Sequence, residues 1–167
     1  MDIVLLPLRN ASLEHLSSDD IDVVLANART LRRATGAGQA ATLLRGKKLG
    51  LMCESADSSE AMFFCRAAAE LGAHVAHVRP GLSDLSRRDI FQHMAHMLGR
   101  LYDAVECEGF DPILVKQLGE DAGVPVYDAI ASAQHPTARL APLLGDESSL
   151  DENRHLVLQA VLISTIG

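Results

Sequence analysis

The feature that most constrains this chain is a repeated change of period: short, largely apolar runs alternate with longer stretches of helical spacing. The runs fall at 48–53, 74–78, 102–107 and 124–128. They lack a sustained polar alternation, as strands do when helices cover both faces of a sheet. The segments between them are long enough for crossover helices, which predicts an α/β chain with a parallel sheet.

The intervening stretches carry their own stop signals. Ser17 and Ser18 precede Asp19 and Asp20, and Ile21, Val24, Leu25, Ala28 and Leu31 then recur on one helical face until Gly36 and Gly38. Further helices are predicted over 59–71, 88–98, 111–122 and 136–144, with Gly72 and Gly123 as stops and Asp111 as a cap ahead of Pro112. A last helix over 151–166 carries Leu156, Leu158, Val161, Leu162 and Ile166. The turn 145–149 before it is too short for a flexible linker, so this helix is expected to dock on the same body.

The whole chain is 167 residues, the size of one ordinary domain. Fifteen Lys and Arg stand against 22 Asp and Glu, a formal net charge of −7 without a basic run, which argues against a nucleic-acid partner. No apolar stretch approaches the roughly eighteen residues of a membrane span. Residues 1–8 include an acid and a proline and have no basic start, so no secretory signal is expected. Cys53, Cys65 and Cys107 form no CxxC pair, which argues against a disulfide framework. The expected location is cytoplasmic, with no cofactor and no membrane partner.

A series of short segments then occurs in order. Leu44-Arg45-Gly46-Lys47 precedes the first strand, followed by Glu70-Leu71-Gly72-Ala73-His74-Val75 and Met97-Leu98-Gly99-Arg100-Leu101-Tyr102-Asp103. Ala122-Gly123-Val124-Pro125-Val126-Tyr127 and His135-Pro136-Thr137 complete it. Together they resemble the ornithine and aspartate carbamoyltransferases, most closely the ornithine branch. The resemblance implies a three-layer αβα unit with a four-stranded parallel sheet in the order 2-1-3-4, the carbamoyl-phosphate-binding half of a two-domain enzyme. Asp151-Glu152-Asn153-Arg154-His155 is similar to the start of the C-terminal helix of the ornithine enzymes, which returns from the second domain. The implied organisation is a single unit over 1–167, with a body at 1–144 and a helix at 150–167 docked back on it. The amino-acid-binding domain, about 150 residues, is absent from the middle, and with it the family's ornithine site.

The resemblance also implies a phosphate site at the end of the first strand, where the family has Ser-Thr-Arg-Thr-Arg at a helix N-terminus. Unpaired N–H groups, the helix dipole and arginine forks hold the anion there. This chain has Asp57-Ser58-Ser59-Glu60-Ala61. Ser58 keeps a hydroxyl and Ser59 replaces the gripping arginine, while Asp57 and Glu60 have capping-box spacing and could occupy the free donors themselves. Each carboxylate held about 4 Å from a bound anion costs roughly 1–4 kcal/mol. The family arginine after the third strand falls on Glu108, the glutamine given by a neighbouring subunit falls near Asp84, and the glutamine of His-Pro-x-Gln falls on Ala138. His135 and Thr137 remain, and Arg88 matches a basic position of the intersubunit loop. A lost charged hydrogen bond costs on the order of 1.5–3 kcal/mol, so these changes could cancel most of the anion's affinity.

The same residues also admit simpler structural roles. His135 could be a turn residue before Pro136, His93 and His96 a solvated helical pair rather than metal ligands, and Cys53 and Cys107 small apolar packing at strand ends. No metal site is expected. The expected function is a non-catalytic carbamoyltransferase-like domain acting in assembly or regulation, as a homotrimer or with an intact carbamoyltransferase. The alternatives are residual carbamoyl-phosphate binding with a separate partner chain, or binding of a small cationic metabolite in the acidic pocket.

Overall fold

The computed structural model describes residues 3–8, 13–81 and 86–166. Its order is α1 (Ser18–Gly36), a 3-10 turn (Ala40–Thr42), β1 (Lys48–Met52), α2 (Ser59–Glu70), β2 (His74–Val78), α3 (Arg88–Leu101), β3 (Ala104–Cys107), α4 (Pro112–Ala122), β4 (Val126–Asp128), a 3-10 helix (Pro136–Leu144) and α5 (Leu150–Ile166). Asp84 lies outside the described residues.

Local chemistry sets several boundaries. Ser17 caps α1 by accepting the Asp20 amide at 3.1 Å, and Asp111 caps α4 by accepting the Ile113 amide at 2.9 Å. After α2 the chain turns at Gly72, φ +91°, where a Cβ would also collide with the Ala41 carbonyl.

The sheet is wholly parallel, in the order β2-β1-β3-β4. Its two-residue period sorts side chains between two cores. Leu49, Leu51, Ala104 and Tyr127 join α1, α2 and α5 on one side, and Met52, Val105, Cys107 and Val126 join α3 and α4 on the other.

α5 is buried on nearly every side, with His155 through Ser164 all covered. Several of its polar groups are tied to neighbouring elements. Asn27 Nδ2 donates to Ser164 Oγ at 2.8 Å, Gln159 Nε2 donates to the Ala67 carbonyl at 3.1 Å, and His155 Nε2 meets the Glu70 carboxyl. The Tyr127 and Thr165 hydroxyls lie 2.6 Å apart. No described helix is long and apolar enough to cross a membrane.

The structure corrects several expected boundaries. α3 continues through Gly99 to Leu101, because that glycine is the point where α3 crosses the end of α4 and a Cβ would strike the Ala122 carbonyl. Tyr102 therefore caps a helix, and β3 begins at Ala104. β4 begins at Val126, two residues later than expected. The segment Pro136–Leu144 is 3-10 rather than α-helical, and it contains Pro142, which offers no N–H to an α-helical ladder.

Candidate functional site

In parallel α/β sheets the carboxyl ends of the strands open onto the ligand crevice. Here β1 and β3 are neighbours, and the Glu108 amide donates to the Met52 carbonyl at 2.9 Å, which holds the end of β3 beside the end of β1. That placement brings two residues fifty positions apart into contact. Ser58 caps α2, its Oγ accepting the Ala61 amide at 3.0 Å and donating to Glu108 Oε2 at 3.2 Å. The other oxygen, Glu108 Oε1, is buried without a hydrogen-bond partner among the described residues. Burial pushes the Glu108 carboxyl above its ordinary range; the Ser58 hydroxyl opposes that shift and the nearby Glu60 charge adds to it.

The expected Asp57–Glu60 capping box does not form. α2 starts at Ser59, so the cap is Ser58 and its third helical residue is Ala61. Glu60 is exposed and accepts the Ser59 hydroxyl at 3.1 Å, while the exposed Asp57 donates its amide to Ser55 Oγ at 3.3 Å. The carboxylate that meets the helix start is Glu108, which arrives from β3.

His135 and Thr137 form a buried pair at the start of the 3-10 helix. The Thr137 amide donates to His135 Nδ1 at 3.2 Å, and Thr137 Oγ1 lies 2.8 Å from the same nitrogen. Nδ1 is thus the acceptor and the neutral ring carries its proton on Nε2. Burial lowers the pKa of His135, with the Glu14 charge acting in the opposite direction, which keeps the ring neutral.

Three of the expected site residues line two separate cavities, and Ser58, Glu108 and Thr137 line neither of them. Ser59 and Glu60 line one of about 380 Å³, together with Phe63, Arg66, Asp151 and Arg154. His135 lines a separate one of about 820 Å³ beside β4, with Glu14, Tyr127 and Asp128. Arg88 is exposed at the first residue of α3 and lines neither. His93 and His96 are exposed on α3. Cys53 and Cys107 are buried at the ends of β1 and β3, where desolvation, chiefly, raises both thiols and leaves them poor nucleophiles.

Two residues escaped sequence reasoning. Glu106 is completely buried on β3, and its carboxyl oxygens accept the amides of Ile130 at 3.1 Å and Ala131 at 3.2 Å. Burial raises its pKa well above the ordinary value, partly countered by those N–H groups. The carboxyl braces the loop that leads to His135, just past Ala129, whose φ of 52° is unusual for a residue with a side chain. An acid inside the apolar run Ala-Val-Glu-Cys was the available signal. The second is Arg154, whose guanidinium lies 5.3 Å from the centre of the Phe63 ring, while its Nε is buried without a partner among the described residues. It stood within the segment 151–155, but nothing in the sequence pointed it at α2.

Comparison with known proteins identifies the family of this fold. The model of the aspartate/ornithine carbamoyltransferase carbamoyl-phosphate-binding domain matches residues 10–145. The chain belongs to this family. The ornithine carbamoyltransferase of Cutibacterium acnes is 36% identical over 133 residues, covering 80% of this chain and 40% of that protein. The catabolic ornithine carbamoyltransferase of Pseudomonas putida is 32% identical over 151 residues, 90% of this chain and 45% of its own. Among solved structures, the ornithine carbamoyltransferase of Pyrococcus furiosus superposes with a TM-score of 0.65 at 24% identity, over 86% of this chain and 45% of that one. That of Gloeobacter violaceus gives 0.61 at 26% identity, over 83% and 44%. The chain thus spans less than half the length of the carbamoyltransferases it matches.

Proposed function

We propose that this chain is a carbamoyltransferase-fold domain whose carbamoyl-phosphate site is degenerate, and that it acts without catalysis in an oligomeric assembly or in regulation of an intact carbamoyltransferase. The observation that carries this reading is the Glu108 carboxylate bonded to Ser58 at the start of α2. An acidic side chain stands where an incoming phosphate would need donors, and Ser59 offers no guanidinium fork. Residues 1–167 are proposed to form one folding unit, with a body at 1–144 and the last helix docked on it, a reading supported by the burial of α5 between α1 and α2.

Calorimetric titration with carbamoyl phosphate tests the site. The expected result is no binding at millimolar ligand, and measurable, salt-sensitive binding by the variant combining Ser59→Arg, Glu108→Arg and Glu60→Thr. Micromolar binding by the unaltered chain would overturn the proposal. Light scattering, alone and mixed with an intact ornithine carbamoyltransferase, tests assembly, with a homotrimer or a mixed complex expected. A chain that stays monomeric in both would count against an assembly role.

One observation favours a second reading, residual binding of a carbamoyl donor in cooperation with a separate chain. Arg154 is held over Phe63 in the cavity that Ser59 lines, and Arg66 is on the same wall. Carbamoyl-phosphate binding lost on Arg154→Gln would select this reading. Parallel titrations with ornithine and a polyamine read the remaining alternative, a small cation.

A further inference from the structure

The larger cavity lies at an unpaired edge of the sheet. β4 bonds only to β3, and no described strand lies beyond it. Two backbone bonds fix which way its polar groups point: the Val105 amide donates to the Pro125 carbonyl at 2.9 Å, and the Ala129 amide donates to the Cys107 carbonyl at 2.8 Å. Residues 125, 127 and 129 therefore face β3, and the alternation of a strand turns the N–H and C=O groups of Val126 and Asp128 outward. Both residues line the cavity of about 820 Å³.

An exposed edge of this kind is a template for another strand unless the fold covers it. Among the described residues it is left open between the N-terminal turn and α4. Ile113 stands at the rim, 77% exposed, and Gly119 faces Val126 without a side chain; a Cβ there would meet only the Val126 Cβ, at 3.6 Å. The charge of the groove is uneven. Lys116 and Glu120 on the α4 wall offset one another, but Glu14 and Asp128 stand together at the other end beside a neutral His135. The Glu14 charge raises the Asp128 carboxyl further, after burial, and among the described residues neither acid forms an ion pair.

We propose that the outer edge of β4 is a docking site for an extended segment of a partner protein, added to the sheet as a fifth strand and bearing lysine or arginine opposite Glu14 and Asp128. The outward groups of Val126 and Asp128 supply main-chain bonds, the apolar floor takes alternate side chains, and the two carboxylates select a cationic residue. This site involves neither Ser58 nor Glu108, the pair on which the reading of a degenerate phosphate site rests.

The test uses the full chain and the blocked peptide acetyl-Val-Lys-Val-Arg-Val-Lys-Val-amide, followed by amide NMR and hydrogen exchange. The expected result is binding that protects the Val126 and Asp128 amides, with at least about tenfold weaker binding of the peptide carrying Glu in place of Lys and Arg. Copies N-methylated at alternate residues in the two possible phases separate strand addition from charge attraction: one phase should abolish binding and the other retain it. Asp128→Asn should weaken the cationic peptide about two- to fivefold. Gly119→Leu should abolish its binding while leaving Tm unchanged or higher, since leucine favours a helix over glycine. No binding at millimolar peptide, equal binding of both methylated copies, or protection confined to other amides overturns the proposal.

Discussion

The two sides of the sheet are built differently. On one, α1, α2 and α5 enclose a large core in which Phe64, Leu31 and Leu162 are inaccessible to water, and the helix at its centre comes from the end of the chain. On the other, α3 and α4 cover a smaller group around Phe91, Leu98 and Leu118. β3 contributes Val105 and Cys107 to the small side and Ala104 and Glu106 to the large one. The difference shows where stability and adaptability lie. The large side depends on long-range closure by α5, whereas the small side is made by two helices adjacent in sequence and borders the open edge of β4.

The largest expected effect comes from removing that closure. A chain ending at Ser149 loses α5 and should show no cooperative thermal transition, because the buried faces of α1 and α2 become exposed together. A truncated chain melting like the full one breaks the comparison outright. Single cavities should follow the same order: Phe64→Ala on the large side should cost about 3–5 kcal/mol in urea denaturation, and Leu118→Ala on the small side about 2–3 kcal/mol. A larger loss for Leu118→Ala than for Phe64→Ala would contradict that order.

Glu106 sharpens the comparison because it is the carboxyl inside the large side. Glu106→Gln should cost about 1–2 kcal/mol, since one of the two amides it accepts loses a good acceptor. Its pH signature is distinctive. A carboxyl raised in the folded state keeps its proton where the unfolded chain has lost it, so stability is greatest at or below the ordinary value of 4.5 and falls as pH rises through the window above it. Denaturation curves across that window should slope downward for the native chain and be flatter for Glu106→Gln. The smallest effect belongs to the site at the sheet's end: Ser58→Ala should cost about 1 kcal/mol through loss of the α2 cap and should release Glu108 from its hydroxyl partner.

Much of the fold was legible because its signals are local. The apolar runs at 48–53 and 74–78, the caps at Ser17 and Asp111 and the turn at Gly72 act over a few residues, so reading them required no knowledge of what packs where. Gly99 shows the limit, because the helix expected to end at Leu98 runs on through a glycine whose place depends on the helix crossing it, and that crossing lies far away in sequence. The strand order came from resemblance to a family, not from spacing.

The alternation of strands and helices and the caps of α1 and α4 could be read from neighbouring residues, and the resemblance implied that Ser59 and Glu108 stand where the family has arginines. Tertiary structure alone decided which acid meets the helix start. The parallel register that sets Met52 beside Cys107 brings Glu108 to Ser58, whereas Glu60, only two residues from the cap, turns away into solvent. Tertiary structure also sent Ser59 and His135 to different cavities and placed Arg154 over Phe63. The physical reason is that propensities and caps act through neighbouring bonds, while a site is assembled from chain segments whose meeting depends on how the whole sheet is paired and covered.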